Sequence, residues 1–366
     1  MFGATTQFLR KIDWILLLSI GTLLIIGSLT QYSLSIEPGV VISEKMVRQL
    51  VYVGLAIIVF FVASFINYRV YITRPAVSVI CMVVLLLAVL MFGREFNGAT
   101  GWIIIGPLST QPVELVKLLF IIFFATIIRR RGERQEHMSY ENIVVTGGVT
   151  ALILLLIFQQ PDLGSAFIIF CVWVGLLALA RAPKLVIAGV LLIAVLAGVI
   201  GWFFVFQPYQ KDRLSIFLNR SSDPLGTGYN ITQSIIAVGS GGLWGKGFGE
   251  GTQSQLQFLP EASSDFAFAV VAEEFGFVGA TLVIVSLFML CFRLIRTMQT
   301  SSDTFVFFFC GGVVVYMLAQ SVVVIGMNMG IMPVTGLPLP FISSGGSSLL
   351  TTAAMCGIAH SMWIRG

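Results

Sequence analysis

Charged residues are scarce in this sequence, and their scarcity excludes most classes of soluble protein. Asp, Glu, Lys and Arg make up 10% of the 366 residues, whereas hydrophobic residues make up 57% and the mean hydropathy is +0.97. This composition lies far outside that of soluble globular domains and is typical of a chain that crosses a membrane many times. We therefore expect a membrane among its partners and no nucleic acid.

Clusters of metal-binding or phosphate-binding residues are also missing. The five cysteines all lie in apolar stretches, with no CxxC and no Cys/His cluster, so we expect neither a disulfide nor a zinc site. The glycine-rich segment 239–251 is not a P-loop, because residue 240 is Ser where the motif needs Gly. The only cofactor that the sequence leaves open is a divalent cation, with no metal ligands assigned.

Long apolar runs are abundant instead. A helix needs roughly 20 apolar residues to cross the hydrocarbon core of a bilayer, and the sequence contains ten candidate spans. They are residues 14–32, 50–66, 77–92, 113–128, 143–158, 163–180, 185–206, 266–292, 305–327 and 347–364. The predicted fold is an all-α polytopic membrane protein with about ten transmembrane helices, forming a single membrane domain over residues 1–366.

The distribution of basic residues predicts which loops face the cytoplasm. Short cytoplasmic loops carry an excess of Lys and Arg, and most of the 21 basic residues fall on one side when ten spans are threaded from an inner N-terminus. Both termini are therefore expected in the cytoplasm. Residues 207–265, between the seventh and eighth spans, then form a large extracytoplasmic loop, and a connection of that length is usually functional.

Four carboxylates stand close together at the start of the eighth span. Glu261, Asp265, Glu273 and Glu274 fall within fourteen positions of a chain with only 17 acidic residues. Pro260 suits the first position of a helix, and Glu261 and Asp265, four residues apart, would share a face near the helix N-terminus, where the helix dipole favours anions. Glu273 and Glu274 do not share that face, and we expect them to pack against polar groups of other helices.

Two further polar groups lie in or beside predicted spans. Glu114 and Lys117 are three residues apart in QPVELVKLL and therefore share a helix face. At membrane depth such residues pair with each other or line a wet cavity, so both a structural ion pair and a substrate-binding role stay open. Asp162 in QQPDLGSA precedes a span and is predicted to cap that helix.

Positive charge and flexible backbone are available on the outer side of the predicted bundle. Arg213, Arg220 and Lys246 lie in the large loop, and Arg suits bidentate phosphate contacts whereas Lys supplies a point charge. The alternative is a set of solvated loop charges, and the glycine-rich segment 239–251 can equally be a flexible loop or a backbone anion site. The segment PVTGLPLPFISSGGSS, which includes Ser343 and Ser344, is predicted to be a re-entrant plug, because such irregular backbone at membrane depth must pack in protein or line a cavity.

These blocks, in this order, resemble the shape, elongation, division and sporulation (SEDS) family of bacterial membrane proteins, also called the RodA/FtsW family. The matching segments are QPVELVK, QQPDLGSA, QSIIAVGSGGLWGKGFGEGTQSQLQFLPEASSDFAF, AEEFGFVGA and GLPLPFISSGGSS, spread over most of the chain. The segments GTQSQLQFLPE and GLPLP are more similar to the elongation branch of the family than to the division branch.

The resemblance implies a function and a partner. It implies a peptidoglycan glycosyltransferase in the bacterial inner (cytoplasmic) membrane that polymerises lipid II on the outer face. Such an enzyme works with a class B penicillin-binding protein in the machinery of cell elongation and shape. Asp265 matches the acidic residue that the family motif requires, and Glu114 and Lys117 match its polar pair.

The sequence departs from the family pattern at two places. Ser263 and Ser264 stand where His-Thr is common before the aspartate, so the hydrogen-bond partners of Asp265 are left open. Residues 99–102, Ala-Thr-Gly-Trp, replace a basic motif in the second outer loop, which leaves open the residues that hold the substrate phosphates.

The chemistry of lipid II polymerisation suits these residues. It needs one base to deprotonate the attacking hydroxyl and cations to stabilise the leaving diphosphate. We predict Asp265 as the base, and a substrate-binding set of Glu114, Lys117, Arg213, Lys246, Glu261, Ser343 and Ser344. Two other classes compete: a transporter, such as a lipid II flippase or an ion-coupled carrier, and a scaffold for cell-wall enzymes without its own chemistry.

Overall fold

Helices make up most of the structure. The computed structural model describes residues 12–36, 43–72, 74–96, 99–105, 108–131, 138–218 and 226–365. Thirteen α-helices occur in these residues: α1 (Trp14–Ser33), α2 (Glu44–Phe65), α3 (Pro75–Phe92), α4 (Pro112–Arg131), α5 (Tyr140–Phe158), α6 (Leu163–Leu179), α7 (Lys184–Phe204), α8 (Pro208–Leu218), α9 (Thr227–Ser240), α10 (Thr252–Gln255), α11 (Ala267–Thr300), α12 (Thr304–Asn328) and α13 (Gly346–Arg365). A short 3₁₀ helix, Tyr68–Tyr71, follows α2.

Every predicted span overlaps one of these helices. Seven of the described helices are long and apolar enough to cross a membrane: α1, α2, α3, α5, α7, α11 and α12. α6 is apolar but has 17 residues. Charged side chains lower the hydropathy of α4, which contains Glu114, Lys117 and three terminal arginines.

The prediction of an all-α fold is wrong in one place. Between α3 and α4 the chain forms a three-stranded antiparallel sheet of β1 (Arg94–Phe96), β2 (Ala99–Ile105) and β3 (Leu108–Thr110), with β2 in the middle. Ile103 pairs with Thr110, and Arg94 pairs with Trp102. Aromatic and β-branched residues in β2 favour an extended backbone, and the prediction of helices alone, with a loop between the third and fourth spans, did not use this preference.

The core of the bundle is built around α12. This helix is buried along most of its length and packs against α4, α6 and α11, while α13 packs mainly on α2. By contrast, Gly201 is the only buried residue of α7, so this helix lies at the periphery with its apolar side chains exposed. Polar chemistry near α12 is therefore isolated from the surroundings, whereas α7 is suited to face lipid.

The glycine-rich segment before α10 braces a break in α11. Gly276 has a φ of 64° and interrupts the helix, so α11 consists of two helical pieces. Backbone N–H groups of Lys246 and Gly247 donate to the carbonyls of Glu273 and Glu274, at 3.0 and 3.1 Å. A Cβ atom on Gly245 would lie 2.1 Å from the Glu274 carbonyl oxygen, so glycine is required for this approach. These two N–H groups stabilise a helix end and are not free to bind an anion.

The segment between α12 and α13 is packed inside the protein, as predicted for a plug. Its side chains Leu337, Leu339, Phe341 and Ile342 are buried in the main hydrophobic core. A Cβ atom on Gly27 would lie 2.7 Å from the Phe341 carbonyl oxygen, so this glycine lets the plug reach α1. Gly27 is six residues before the end of α1, about 9 Å along its axis.

Polar contacts tie the helices together at one end of the bundle. The Arg293–Asp13 pair joins α11 to the start of α1 at 2.8 Å, and Arg129 binds Asp303 at 3.0 Å between α4 and α12. Arg365 donates to the Ser64 carbonyl at 2.9 Å, between α13 and α2. The outer-loop helices α8 to α10, the plug and Asp265 lie at the opposite helix ends.

Candidate active site

Asp265 lies in a turn directly before α11. The helix begins at Ala267, so the predicted start at Pro260 is wrong. Glu261 has a positive φ of 55°, and its carbonyl accepts hydrogen bonds from the three N–H groups of residues 264–266 at 3.1 to 3.3 Å. A left-handed residue cannot continue an α-helix. The turn nevertheless brings Glu261 close to Asp265, as the four-residue spacing predicted.

The carboxylate of Asp265 is only weakly compensated. Burial, followed by the negative charge of Glu261, raises the pKa of Asp265 to about 7, although the nearby Ser264 side chain and the charge of Arg213 act in the opposite direction. A Cβ atom on Gly336 would lie 3.7 Å from the Asp265 Oδ2 atom, so the plug presents a side-chain-free surface to this oxygen. The arrangement fits a group that gains and loses a proton near neutral pH.

Asn328, at the end of α12, fixes the backbone around Asp265. Its buried Nδ2 donates to the Asp265 carbonyl at 2.9 Å and to the Val324 carbonyl at 2.8 Å. Its Oδ1 accepts from the Ala269 N–H at 2.9 Å, at the first turn of α11. One amide therefore holds both the carboxylate-bearing residue and the start of its helix.

The two predicted serines hold the residues before Asp265 against the plug. Ser343 Oγ donates to the Ser264 carbonyl at 2.5 Å, and the Ser344 N–H donates to the Ser263 carbonyl at 2.9 Å. Gln31 of α1 donates to the same Ser263 carbonyl at 2.8 Å. The serines that replace His-Thr thus use backbone carbonyls as anchors, while Ser264 Oγ donates to Glu261 Oε2 at 3.0 Å.

Arg213 is brought into the site by α8. Its guanidinium lies over the Tyr209 ring, 5.7 Å from the centroid, and its charge lowers the pKa of Asp265. Tyr209 Oη donates to the Pro161 carbonyl at 2.9 Å, which fixes α8 on the turn before α6. Asp162 in that turn caps α6 through the Ser165 N–H at 2.9 Å, as predicted.

Lys246 is bound to a different carboxylate. Its Nζ lies 2.8 Å from Glu273 Oε1 and 2.7 Å from Thr252 Oγ1. Glu273 also accepts from the N–H groups of Gln253 and Ser254, at 2.9 and 3.2 Å. The structure therefore brings Lys246 to Glu273, and Arg213 to Asp265.

The prediction that Glu273 and Glu274 brace the protein is confirmed by their contacts. Both side chains are buried. Glu273 binds the glycine-rich segment and α10, while Glu274 accepts a hydrogen bond from Ser33 at the end of α1. The glycine-rich segment, the break in α11 and the outer end of α1 are thereby joined.

Glu114 and Lys117 form an ion pair inside the bundle, remote from solvent. Lys117 Nζ lies 2.7 Å from Glu114 Oε1, and the two side chains are 1% and 0% exposed. Lys117 also donates to Gln320 Oε1 of α12 at 3.1 Å and lies over the Tyr316 ring at 5.6 Å. The structure places this pair in the protein core, with the plug rather than a solvent-exposed surface beyond Gln320.

A metal site is not preformed in the part of the chain that the structure describes. No group of three or more His, Cys, Asp or Glu side chains that could hold a metal occurs there. Asp265 and Glu261 are two neighbouring carboxylates, so a divalent cation at this place would take its other ligands from substrate oxygens or water. Arg220, a further predicted loop charge, lies outside the described residues.

Two buried amides escaped the sequence analysis. Asn328 and Gln320 lie within the apolar run of α12, and both are fully buried and bonded to other segments. The signal was present, since Gln320 lies in the predicted span 305–327 and Asn328 directly follows it, and uncharged polar residues at membrane depth need hydrogen-bond partners inside the protein.

This fold and site define a helical membrane protein with one weakly compensated carboxylate held between a plug and a broken helix. Residues 10–363 match the family described as "Cell cycle protein", which covers FtsW, RodA and SpoVE. The chain belongs to this family, as the sequence motifs predicted.

Curated relatives carry the names of enzymes. The chain is 37% identical over 352 residues to the probable peptidoglycan glycosyltransferase FtsW of Acinetobacter baylyi, covering 94% of this chain and 87% of that one. It is also 37% identical over 322 residues to the peptidoglycan glycosyltransferase MrdB of Escherichia coli, covering 87% of this chain and 85% of that one. These two relatives, one of each name, have the same identity to this chain.

Solved structures share the fold. One of them belongs to a peptidoglycan synthase complex and is described as showing the structural coordination of polymerization and crosslinking. It superposes with a TM-score of 0.80, at 29% identity, over 96% of this chain and 97% of that one. The rod shape determining protein RodA of Thermus thermophilus superposes with a TM-score of 0.69, at 25% identity, over 96% of both chains.

Proposed function

We propose that this chain is a peptidoglycan glycosyltransferase that polymerises lipid II into glycan strands, with Asp265 as the general base. The activity follows from the family and from the names of relatives that match over most of the chain. The observation that carries the residue assignment is the partly buried Asp265 carboxylate, whose pKa burial and the charge of Glu261 raise to about 7. A general base is most effective when its pKa lies near the working pH.

The reaction requires one proton transfer and one departing anion. The 4-hydroxyl of an acceptor sugar attacks the anomeric carbon of the donor, and its proton passes to a carboxylate oxygen of Asp265. The bond between that carbon and the diphosphate oxygen breaks, and undecaprenyl diphosphate leaves with the electron pair. The α linkage of the donor becomes β, and this single inversion needs one base, which typically contributes about 10²- to 10⁴-fold in rate.

Arg213 is the best-placed group to stabilise the leaving diphosphate. Its charge acts on Asp265, so it lies close enough to act on a substrate bound there. A guanidinium can bind phosphate oxygens through two parallel hydrogen bonds. Glu261 and Ser344 are proposed to contact sugar hydroxyls beside the base. Lys246, whose side chain is 25% exposed, is proposed to contact the substrate at the outer edge of the site.

We place the Asp265 end of the bundle on the outer face of the bacterial cytoplasmic membrane. Arg129, Arg293 and Arg365 lie at the opposite end, and basic residues favour the cytoplasmic side. This placement supports the ten-span topology with both termini inside and the loop 207–265 outside. A substrate sugar can then reach Asp265 while its lipid tail stays in the bilayer.

A class B penicillin-binding protein is the proposed partner, within the machinery of cell elongation. Support comes from the superposed chain of a peptidoglycan synthase complex, whose description couples polymerization to crosslinking. The relatives named MrdB and RodA, the latter described as rod shape determining, favour a role in cell shape. Co-purification in mild detergent and a rise in polymerisation rate on addition of the partner would support this pairing.

The assay is polymerisation of labelled lipid II by purified protein, with and without the partner, read as glycan length on a gel. Wild type is expected to form polymer, and Asp265→Asn is expected to lose at least about 10²-fold in rate while folding normally. A chain that forms no polymer but moves lipid II across proteoliposome membranes would be a transporter. Near-normal polymer from Asp265→Asn would leave the activity standing and remove this residue from the mechanism.

A further inference from the structure

We propose that Gln320 is a positioning residue for Asp265, and that the Glu114–Lys117 pair acts on the reaction through Gln320 rather than by touching substrate. The inference rests on the proposed function of Asp265. It comes from a continuous chain of hydrogen bonds that runs from the core of the bundle to the peptide group directly before the base.

The first part of this chain fixes the orientation of the Gln320 amide. Lys117 Nζ donates to Gln320 Oε1 at 3.1 Å, and Gln320 Nε2 donates to the Pro338 carbonyl at 2.7 Å. Lysine has donors only, so the amide oxygen must face Lys117 and the NH₂ group must face the plug. Glu114 fixes Lys117 in turn, at 2.7 Å. The ion pair thereby decides which group Gln320 presents to Pro338.

The second part passes through a single peptide group of the plug. The carbonyl of Pro338 accepts from Gln320, and the N–H of the same peptide group, that of Leu339, donates to Ser343 Oγ at 2.9 Å. Ser343 Oγ then donates to the Ser264 carbonyl at 2.5 Å. That carbonyl belongs to the peptide group between Ser264 and Asp265. Each step is a direct contact, and each donor faces an acceptor.

Burial argues against direct contact between the ion pair and substrate. Glu114, Lys117 and Gln320 are 0%, 1% and 0% exposed. A buried ion pair contributes little net stability compared with apolar side chains, because desolvation offsets the attraction. Its presence at this place is therefore better explained by control of geometry, as is documented for some other buried polar groups.

The expected consequence is a loss of rate without a loss of affinity. A displacement of a reacting group by about 1 Å can cost about 10² in rate. Gln320→Leu removes both hydrogen bonds, and Gln320→Glu keeps the acceptor for Lys117 but, when ionised, loses the donor to Pro338. Both variants are expected to lower kcat about tenfold or more, with KM and lipid II affinity within about twofold of wild type.

Gln49→Leu is the matched control. Gln49 is also a buried glutamine in a membrane helix, α2, and its Nε2 atom has no hydrogen-bond partner among the residues that the structure describes. The same chemical change is therefore expected to leave kcat and thermal stability near wild type. If Gln320→Leu does not fold, the test is made with Gln320→Glu, because this variant retains a polar group beside Lys117.

The decisive comparison combines each Gln320 variant with Asp265→Asn. If Gln320 acts only by positioning the base, its substitution has no further effect on the residual rate, measured over long incubations, once the carboxylate is gone. If the double variant is slower than Asp265→Asn by the same factor as the single Gln320 variant is slower than wild type, the proposal is overturned. It is also overturned if both Gln320 variants have a normal kcat, or if they bind lipid II more weakly at unchanged kcat. If wild type forms polymer and Asp265→Asn loses most of the rate, any of these results would overturn the role of Gln320 and leave the proposed function intact.

Discussion

Two carboxylates eight residues apart, Glu273 and Asp265, have opposite surroundings. Glu273 accepts hydrogen bonds from Lys246, from Thr252 and from two backbone N–H groups, and it is fully buried. Asp265 is partly buried beside a second carboxylate, that of Glu261, with Arg213 and Ser264 as weaker support. The difference teaches that donor number, and not charge alone, separates a structural carboxylate from a reactive one in this loop.

The largest expected effect contrasts the two residues directly. Asp265→Asn is expected to lose at least about 10²-fold in polymerisation rate without losing folded protein, because it removes the base but preserves shape. Glu273→Gln is expected to keep most of its rate per folded molecule and to lose about 1 to 3 kcal/mol of stability, because Lys246 and neighbouring donors lose a charged acceptor. Rate and thermal unfolding should be measured on the same preparations; a large rate loss in well-folded Glu273→Gln would break the distinction.

Arg213→Gln should have an intermediate effect on both rate and pH dependence. The positive charge of Arg213 lowers the pKa of Asp265, so its removal raises that pKa further and keeps the base protonated at higher pH. The rate at pH 7 should fall about tenfold, with partial recovery at pH 8.5. Arg296→Gln, at the opposite end of α11, is the matched control. If the rate of Arg213→Gln falls and does not recover at high pH, Arg213 acts only on the leaving diphosphate and not on the pKa of Asp265.

The smallest expected effect is on thermal stability. The pKa of Asp265 is raised in the folded protein, so the folded state binds this proton more tightly than the unfolded state. Its ionisation therefore destabilises the fold fully above pH 7, and this penalty fades as pH falls towards the ordinary carboxyl pKa. Asp265→Asn should unfold at a higher temperature than wild type at pH 8.5, and the difference in unfolding temperature should be clearly smaller at pH 5. If Asp265→Asn unfolded at a lower temperature than wild type at pH 8.5, the negative charge of Asp265 would be well compensated by its neighbours in the folded protein.

The helical architecture was predictable because membrane spans depend on composition over about 20 residues. All ten predicted spans overlap helices, since hydrophobicity alone specifies them. The sheet of β1 to β3 was missed because short strands give weak signals beside long apolar runs. The start of α11 was misplaced because the left-handed φ of Glu261 is set by tertiary contacts rather than by its own preference.

The candidate site was predictable in its chemistry but not in its connections. Asp265 could be predicted as the base from the position of its carboxylate beside an apolar run and from the family motif. The partners of the cations could not be predicted, because Lys246 meets Glu273 only when the glycine-rich segment folds against the break in α11. The roles of Asn328 and Gln320 depend on contacts 63 and 18 residues away in the chain, which no local pattern specifies.

The most direct test of the central claim is the pH dependence of kcat for lipid II polymerisation, in wild type and in Glu261→Gln. The Glu261 charge raises the pKa of Asp265, so removing it should let the base stay ionised to lower pH. Wild type should lose rate as pH falls through about 7, and Glu261→Gln should lose it at a lower pH, with similar rates at pH 8.5. Two results would contradict Asp265 as the titrating base: a wild-type rate that is constant between about pH 5.5 and 8.5, or a fall in rate that occurs at the same pH in wild type and in Glu261→Gln.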